Sequence, residues 1–430
     1  MKMVYIIILF SLITACHKEP PIPIVPTPLC LLGSCDTSKL EIVWQKPISR
    51  DTSEKTSSRP IYFDGNVLFT RSTLEEGIDT LKMLNSKTGA LVWQWSDYMI
   101  GRKPSLAFPG KIQFLKNSRF LFTTGNDVYC VNAQDGHTVW SSKQDSGYGS
   151  PDIVGIDNYI YQTFIHKIGS STDYSYLLRA NINDGKWDTI YTQPKIDGFE
   201  PDIEPPNISW KNTKGDQIVF FQIRYWDFPT SKGRIDWLAL NLNTRKEEFR
   251  HNNIDRGQIG HKRGAFLLGD NIYFNCINSS FCINKNDGKI LWQKNFDKDG
   301  ETFTSTSPFV TDGLLFIKPD NRTLYTLNPN TGSEIRVDYD NGSGAIDMVN
   351  YNGILYYTCV GVGKIYAIEI ATGKKIWAEP SPNKFKNILN GNRKYENAEF
   401  GYGSVTIDPQ AEYLYTSDHY FAICLKLPKK

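Results

Sequence analysis

The side chains able to do chemistry are few and dispersed in this chain. Its six histidines stand at His17, His137, His166, His251, His261 and His419, and none shows the His-Glu-x-x-His spacing that holds zinc for hydrolysis. Asp297-Lys298-Asp299-Gly300-Glu301 resembles a fragment of a calcium loop. Oxygen coordination of calcium needs a longer run of ligands, so this segment reads as a turn. There is no Gly-x-Ser-x-Gly elbow, no phosphate-cradling glycine loop and no Cys-x-x-Cys-His haem site. Eight cysteines occur and no two are adjacent. One has a distinctive setting: Lys2, an apolar run and small residues lead directly to Cys16. The run is too short to span a bilayer comfortably and has the shape of a secretion signal.

Ile13-Thr14-Ala15-Cys16 resembles the bacterial lipobox. That resemblance implies removal of residues 1–15 as a lipoprotein signal peptide and lipidation of Cys16, palmitate included. An ordinary signal with an incidental cysteine is the alternative. Each buried methylene of an acyl chain contributes ~0.8 kcal/mol, so several chains on one residue anchor stably. Residues 16–39 then form a stalk carrying Pro20, Pro21, Pro23, Pro26 and Pro28, because proline favours extended, semi-rigid backbone. Cys30 and Cys35 have a spacing that allows a small disulfide loop in an oxidising compartment, with free thiols the alternative.

Positioning these groups falls to the rest of the chain, which is built from one repeated phrase. Leu84-Asn85-Ser86-Lys87-Thr88-Gly89-Ala90-Leu91-Val92-Trp93 returns as Ile283-Asn284-Lys285-Asn286-Asp287-Gly288-Lys289-Ile290-Leu291-Trp292. Asparagine bonds its own nearby backbone and glycine takes positive φ without steric cost, so each phrase is a tight turn between two strands. The turn glycine recurs at Gly89, Gly136, Gly185, Gly288, Gly332 and Gly373, with Arg245 in its place once. Asn85, Asn132, Asn181, Asn241, Asn284 and Asn328 stand four residues before, and Glu369 departs. Four residues after stand Trp93, Trp140, Trp292 and Trp377, with Phe249 substituting and Thr189 and Arg336 breaking the rule. A strand-built period of about 40–50 residues is that of a propeller blade.

The chain ends complete the count. Phe421-Ala422-Ile423-Cys424-Leu425-Lys426 is an eighth strand before the turn, and Leu40-Glu41-Ile42-Val43-Trp44-Gln45-Lys46 is the missing tryptophan strand. The expected fold is all-β: an eight-bladed β-propeller over 40–430, with four-stranded antiparallel blades. Pairing of strand 40–46 with strand 421–426 closes the ring and removes open sheet edges. The phrase resembles the pyrroloquinoline-quinone (PQQ)-like, quinoprotein-type propeller repeat. Strands beginning Ser150-Pro151 and Ser307-Pro308 match it too. That resemblance implies fold more than function, since the family holds both dehydrogenases and non-enzymatic scaffolds.

Cys130, Cys282 and Cys424 share one repeat position, on blades two, five and eight, and cannot meet. Cys276 and Cys359 share another. All five read as small buried residues, with a Cys276–Cys282 bridge across one hairpin as the alternative.

Turns after first and third strands are short, whereas long segments follow second and fourth strands: Ser96 to Pro109, His166 to Tyr174, Thr192 to Pro206, Tyr225 to Arg234 and Glu379 to Asn397. Insertions on one face mark a binding face, or a rim that tolerates insertion. Tyr225, Trp226 and Phe228 are the candidate binding-face residues, being aromatics of the type enriched at hot spots, though packing on a neighbouring blade would explain them equally. Lys384 to Lys394 is a basic loop, and Asp197, Glu200, Asp202 and Glu204 make an acidic one. A net charge of +2 with no basic stripe argues against a nucleic-acid partner.

The leading expectation is a membrane-anchored, non-enzymatic, monomeric propeller that serves as a protein-binding scaffold in the cell envelope. In being lipidated and built of this repeat it resembles the BamB-type outer-membrane assembly lipoproteins. No cofactor is expected on that reading. One alternative is a sugar or alcohol dehydrogenase, for which the repeat resemblance implies PQQ and calcium. Another is a carbohydrate-binding surface lipoprotein using Trp226.

Overall fold

The computed structural model describes residues 39–48, 59–69, 81–95, 112–115, 118–124, 127–143, 148–168, 171–227, 232–257, 264–276, 279–296, 307–319, 323–339, 341–342, 345–359, 362–389, 392–400, 404–418 and 420–428. Cys16, Cys30, Cys35, Phe228 and the segment 297–301 lie outside them.

Eight antiparallel sheets succeed one another along the chain, each with four strands on its main path. Blade 1 holds the strands Pro60–Phe63, Asn66–Phe69, Lys82–Asn85 and Leu91–Gln94, hydrogen-bonded in that order. Blades 2 to 7 repeat this plan. Blade 8 is Thr406–Asp408, Tyr413–Ser417, Phe421–Lys426 and, from the other end of the chain, Ile42–Pro47. Trp44 faces Cys424 and Gln45 faces Ile423. The closure expected from the two chain ends is therefore the one observed.

Each repeat turn forms for the reason its residues suggest. The amide of the turn residue bonds the carbonyl four residues earlier, as in Gly89 to Asn85 at 2.8 Å and Gly136 to Asn132 at 2.9 Å. The asparagine Oδ1 accepts from the backbone two residues on, as at Gln134, Asn183, Asn286 and Asn330. The turn residue has positive φ throughout, including Arg245 at 57°.

The blades are joined by one device. A Cβ built on Gly89 lies 2.8 Å from the indole of Trp44, one on Gly136 2.6 Å from Trp93, and one on Gly185 2.8 Å from Trp140. Gly288 meets Phe249, Gly332 meets Trp292 and Gly373 meets Arg336 in the same way. Only glycine lets the preceding blade's side chain lie flat on the turn. The indoles then donate to the carbonyl beside that turn: Trp44 to Ser86 at 2.8 Å, Trp93 to Ala133 at 3.0 Å, Trp140 to Ile182 at 2.9 Å and Trp292 to Pro329 at 2.8 Å. Arg336 donates equivalently to Ile370 at 3.1 Å. Trp377 of blade 7 packs with Leu427 of blade 8 in one apolar cluster, so the chain of contacts runs round the ring.

First strands meet first strands of neighbouring blades and line the axis. Tyr62 N donates to Thr406 Oγ1 at 3.3 Å, Gly264 N to Ser307 Oγ at 3.0 Å and Asn350 Nδ2 to Thr311 Oγ1 at 2.6 Å.

Candidate functional site

Register explains why each outer strand turns its aromatic residue toward the next blade. A β-bulge interrupts each outer hairpin and re-aims the residue beside it. In blade 1 it falls between Met83 and Leu84, in blade 2 between Cys130 and Val131, in blade 5 between Cys282 and Ile283. Trp93, Trp140 and Trp292 face Met83, Cys130 and Cys282. Blades 4, 6, 7 and 8 keep the same position, with Phe249 opposite Ala239, Arg336 opposite Thr326, Trp377 opposite Ala367 and Trp44 opposite Cys424.

Blade 3 departs. Its shift lies between Leu177 and Leu178, so Arg179 faces Asp188, and Trp187 faces Ala180. Arg179 thus takes the seat that cysteine, alanine, methionine or threonine fills elsewhere, and Asp188 takes the aromatic's seat. They form an ion pair at 3.3 Å. Arg245, standing where the other turns have glycine or its equivalent, reaches back from blade 4 to Asp188 at 2.8 Å and to the Thr189 carbonyl at 3.0 Å. Trp187 points the other way and donates to Ser142 of blade 2 at 2.9 Å. The seam between blades 3 and 4 is therefore polar where most of its equivalents carry an aromatic side chain, the seam of blades 6 and 7 with Arg336 being the other exception. A cavity of about 330 Å³ lies beside the seam of blades 3 and 4, lined by residues of both blades, Arg179 among them.

The same two blades project from the opposite end. Blade 3 has strands Tyr159–Ile168 and Ser171–Asn181; blade 4 has Gln217–Asp227, Lys232–Asn241 and Lys246–Gly257, all far longer than their counterparts in blade 1. The segments expected as loops at Thr192 to Pro206 and Tyr225 to Arg234 pair with each other instead. Glu200–Ile203 adds to Ile223–Trp226, giving this blade a fifth strand alongside Ile208–Lys211. Tyr225 consequently stands in a strand and is buried, packed among Ile203, Ile223 and Leu238. Its place is in the core and not on a binding loop, because the added strand covers it. Trp226 is half-buried opposite Glu200.

Three of the four acidic residues are also engaged, Glu200 among them through Ser171. Asp202 and Glu204 pair with Arg224, the latter at 2.7 Å. Beside them runs a partly buried polar network. Arg250 donates to Asp236 at 3.2 Å, Glu247 at 2.7 Å and the Tyr225 hydroxyl at 3.3 Å, and the Tyr191 hydroxyl lies 3.0 Å from both Gln193 Oε1 and Glu247 Oε1. Burial pushes the Tyr191 and Tyr225 phenols up; Tyr191 donates toward the Gln193 and Glu247 oxygens, and Tyr225 accepts from Arg250. Lys384 to Lys394 forms a hairpin, Lys384–Leu389 against Asn392–Asn397, that belongs to no blade. Strand order puts it at the same end as the long hairpins of blades 3 and 4.

Cys130, Cys276, Cys282, Cys359 and Cys424 are buried free thiols, as their repeat positions imply. Burial pushes Cys130 and Cys282 up to about 11, which removes the thiolate a nucleophile needs. Among the described residues no three His, Cys, Asp or Glu side chains converge where they could hold a metal ion.

A closed ring of eight sheets, locked by side chains lying on turn glycines, defines a β-propeller of the PQQ-like repeat class. The chain belongs to the family described as outer membrane protein assembly factor BamB, whose model matches residues 34–161 and 239–388, more than half of the sequence. The matched segments flank 162–238, which holds the displaced register of blade 3 and the added strand of blade 4.

Two curated relatives are quinoprotein ethanol dehydrogenases. The one from Pseudomonas aeruginosa is 27% identical over 132 residues, 30% of this chain and 16% of the relative. That from Pseudomonas putida is 24% identical over 153 residues, 35% of this chain and 20% of the relative. The alignments thus span no more than a fifth of either dehydrogenase. BamB from Moraxella catarrhalis superposes with a TM-score of 0.55 at 10% identity, over 91% of this chain and 98% of that one. A europium-containing methanol dehydrogenase gives 0.58 at 10% identity, over 89% and 85%. At such identities the likeness is one of fold.

Proposed function

We propose that this protein is a non-enzymatic scaffold of the bacterial cell envelope, acting in outer-membrane protein assembly. Cys16 tethers it to the outer membrane through lipid, and residues 17–39 lift the propeller from the bilayer. The observation that carries this reading is the match to the outer membrane assembly family over both halves of the ring. The projecting strands of blades 3 and 4 and the extra hairpin supply a surface beyond the bare ring at one end. A hairpin outside any blade keeps backbone edges on which a partner strand can pair.

Affinity capture from detergent-solubilised envelope tests the proposal. Recovery of an outer-membrane β-barrel or its assembly machinery is expected, and should fall on deletion of 385–396. Recovery of no envelope protein would overturn it. Metabolic labelling with palmitate, lost on Cys16→Ser, tests the anchor separately.

The local identity to quinoprotein ethanol dehydrogenases favours a second reading, quinone-dependent oxidation of an alcohol or sugar. That reading requires calcium, whose oxygen ligands include Asn side chains and backbone carbonyls as well as carboxylates. Dye reduction after reconstitution with PQQ and calcium separates the two readings.

A further inference from the structure

We infer that the seam between blades 3 and 4 is a binding pocket for a neutral, hydroxyl-rich ligand of one or two sugar rings. Three departures from the repeat converge there. Arg179 replaces a small residue, Asp188 replaces an aromatic and Arg245 replaces glycine. Arg179 and Asp188 face each other across one hairpin and Arg245 reaches Asp188 from blade 4; of the three, Arg179 lines a cavity of about 330 Å³ beside that junction. Its volume is at the lower end of the range for small-molecule sites, roughly 300–1,000 Å³.

The lining selects the ligand class. Asn158, Gln217 and Asn243 bring three carboxamides to the cavity, each able to donate and accept at once. Asn243 Oδ1 accepts the Gln217 amide at 3.1 Å, which leaves its Nδ2 for a ligand. Tyr159 adds a ring that is 36% exposed, with Arg179 held over it 4.5 Å from the centroid. Buried Tyr161 and Leu242 make an apolar floor. Planar amides beside an aromatic ring suit vicinal hydroxyls and the C–H face of a pyranose.

Charge argues against an anion. The guanidinium of Arg179 is already paired with Asp188, which Arg245 shares, and Asp157 stands on the lining. The one arginine on the lining is thus already paired, and a carboxylate or phosphate would meet the Asp157 carboxylate there. This site is on the end of the ring opposite the projecting strands, so it does not depend on the scaffold reading.

Saturation-transfer NMR on the full chain tests the assignment, with maltose and N-acetylglucosamine as neutral probes and glucuronate and glucose 6-phosphate as anionic ones. The neutral probes should give signals, and affinity should fall at least tenfold in Tyr159→Ala while Trp226→Ala binds as the parent does. Gln217→Leu, at the rim, should reproduce the loss and serves if Tyr159→Ala does not fold. Signals from the anionic probes alone, no signal from any saccharide, or full binding in Gln217→Leu would each overturn the assignment.

Discussion

Arg245 of blade 4 donates to Asp188 of blade 3 at 2.8 Å, across a seam whose equivalents stack a side chain on the turn residue of the next blade. The two residues compensate for each other. Without an aromatic in the seat, the turn position tolerates a side chain, and Arg245 there shares the Asp188 carboxylate with half-buried Arg179. Arg245 keeps the left-handed φ of 57° that glycine would take freely.

A double-mutant cycle on Arg245 and Asp188 should therefore show coupling. Arg245→Gly relieves backbone strain and removes an exposed ion pair, both of order 1 kcal/mol, so its net effect should be within about 1 kcal/mol of zero. Asp188→Ala leaves two guanidiniums facing each other and should cost about 1–3 kcal/mol, much of it recovered in the double variant. Additive denaturation midpoints would show that the pair does not interact.

Gly136→Ala and Gly65→Ala separate two roles of turn glycine. Both have φ near 70°, at 74° and 72°. A Cβ at 136 would lie 2.6 Å from the Trp93 ring, whereas none of the surroundings comes within 4 Å at 65. Positive φ alone costs roughly 1–2 kcal/mol for alanine, and overpacking adds about 1–3 kcal/mol at 136. Equal losses in urea denaturation would mean that the Trp93 seat yields easily.

How much of the fold was legible depends on the range over which each feature is encoded. Asn85 to Trp93 states its turn within ten residues, so blade number and closure through Trp44 could be read from repetition. Blade 3 misleads because its bulge moves. Thr189 looks like a lost tryptophan, while the displaced Trp187 docks backward on Ser142. Arg245 looks like a lone exception until Asp188 is seen across the seam. Tyr225 and Trp226 look like loop aromatics, since pairing with Glu200–Ile203 is a contact between two insertions that neither announces. The one signal of the site in the sequence was the coincidence of exceptions at 189 and 245, in consecutive repeats.

The core thiols should be inert in the native state. Cys130, Cys276, Cys282, Cys359 and Cys424 are all buried, and burial pushes the first and third up to about 11. Iodoacetamide at pH 8 and then peptide mapping should leave these five unmodified until denaturant is added. Rapid native labelling of Cys424 would mean that the closing strand Phe421–Lys426 opens readily.

Closure by the first described strand makes Trp44 a keystone between blade 8 and blade 1. Its indole donates to Ser86, lies on Gly89 and packs against Phe69 and Tyr415. Trp44→Ala should cost about 3–5 kcal/mol, the usual range for a buried tryptophan. Hydrogen exchange should quicken first in Phe421–Lys426 and Asn66–Phe69. Uniform loss of protection around the ring would show that the seam is no weaker than its neighbours.

His251 gives the fold a pH dependence of defined sign. Its Nε2 lies 2.7 Å from the Gly288 carbonyl, which can only accept, so the neutral ring carries its proton on Nε2. Burial holds the imidazole below its ordinary value, against that hydrogen bond, which raises it. The unfolded chain titrates near 6.5, so below that pH it binds a proton that the folded chain takes up less readily. This contribution is fully present above about pH 6.5 and is lost as pH falls toward the folded pKa, at no more than about 1.4 kcal/mol per pH unit. His251→Gln keeps a side-chain N–H for Gly288 and removes the titration. Between pH 7 and 5 its denaturation midpoint should fall less steeply than that of the parent, and parallel curves would place the acid sensitivity elsewhere.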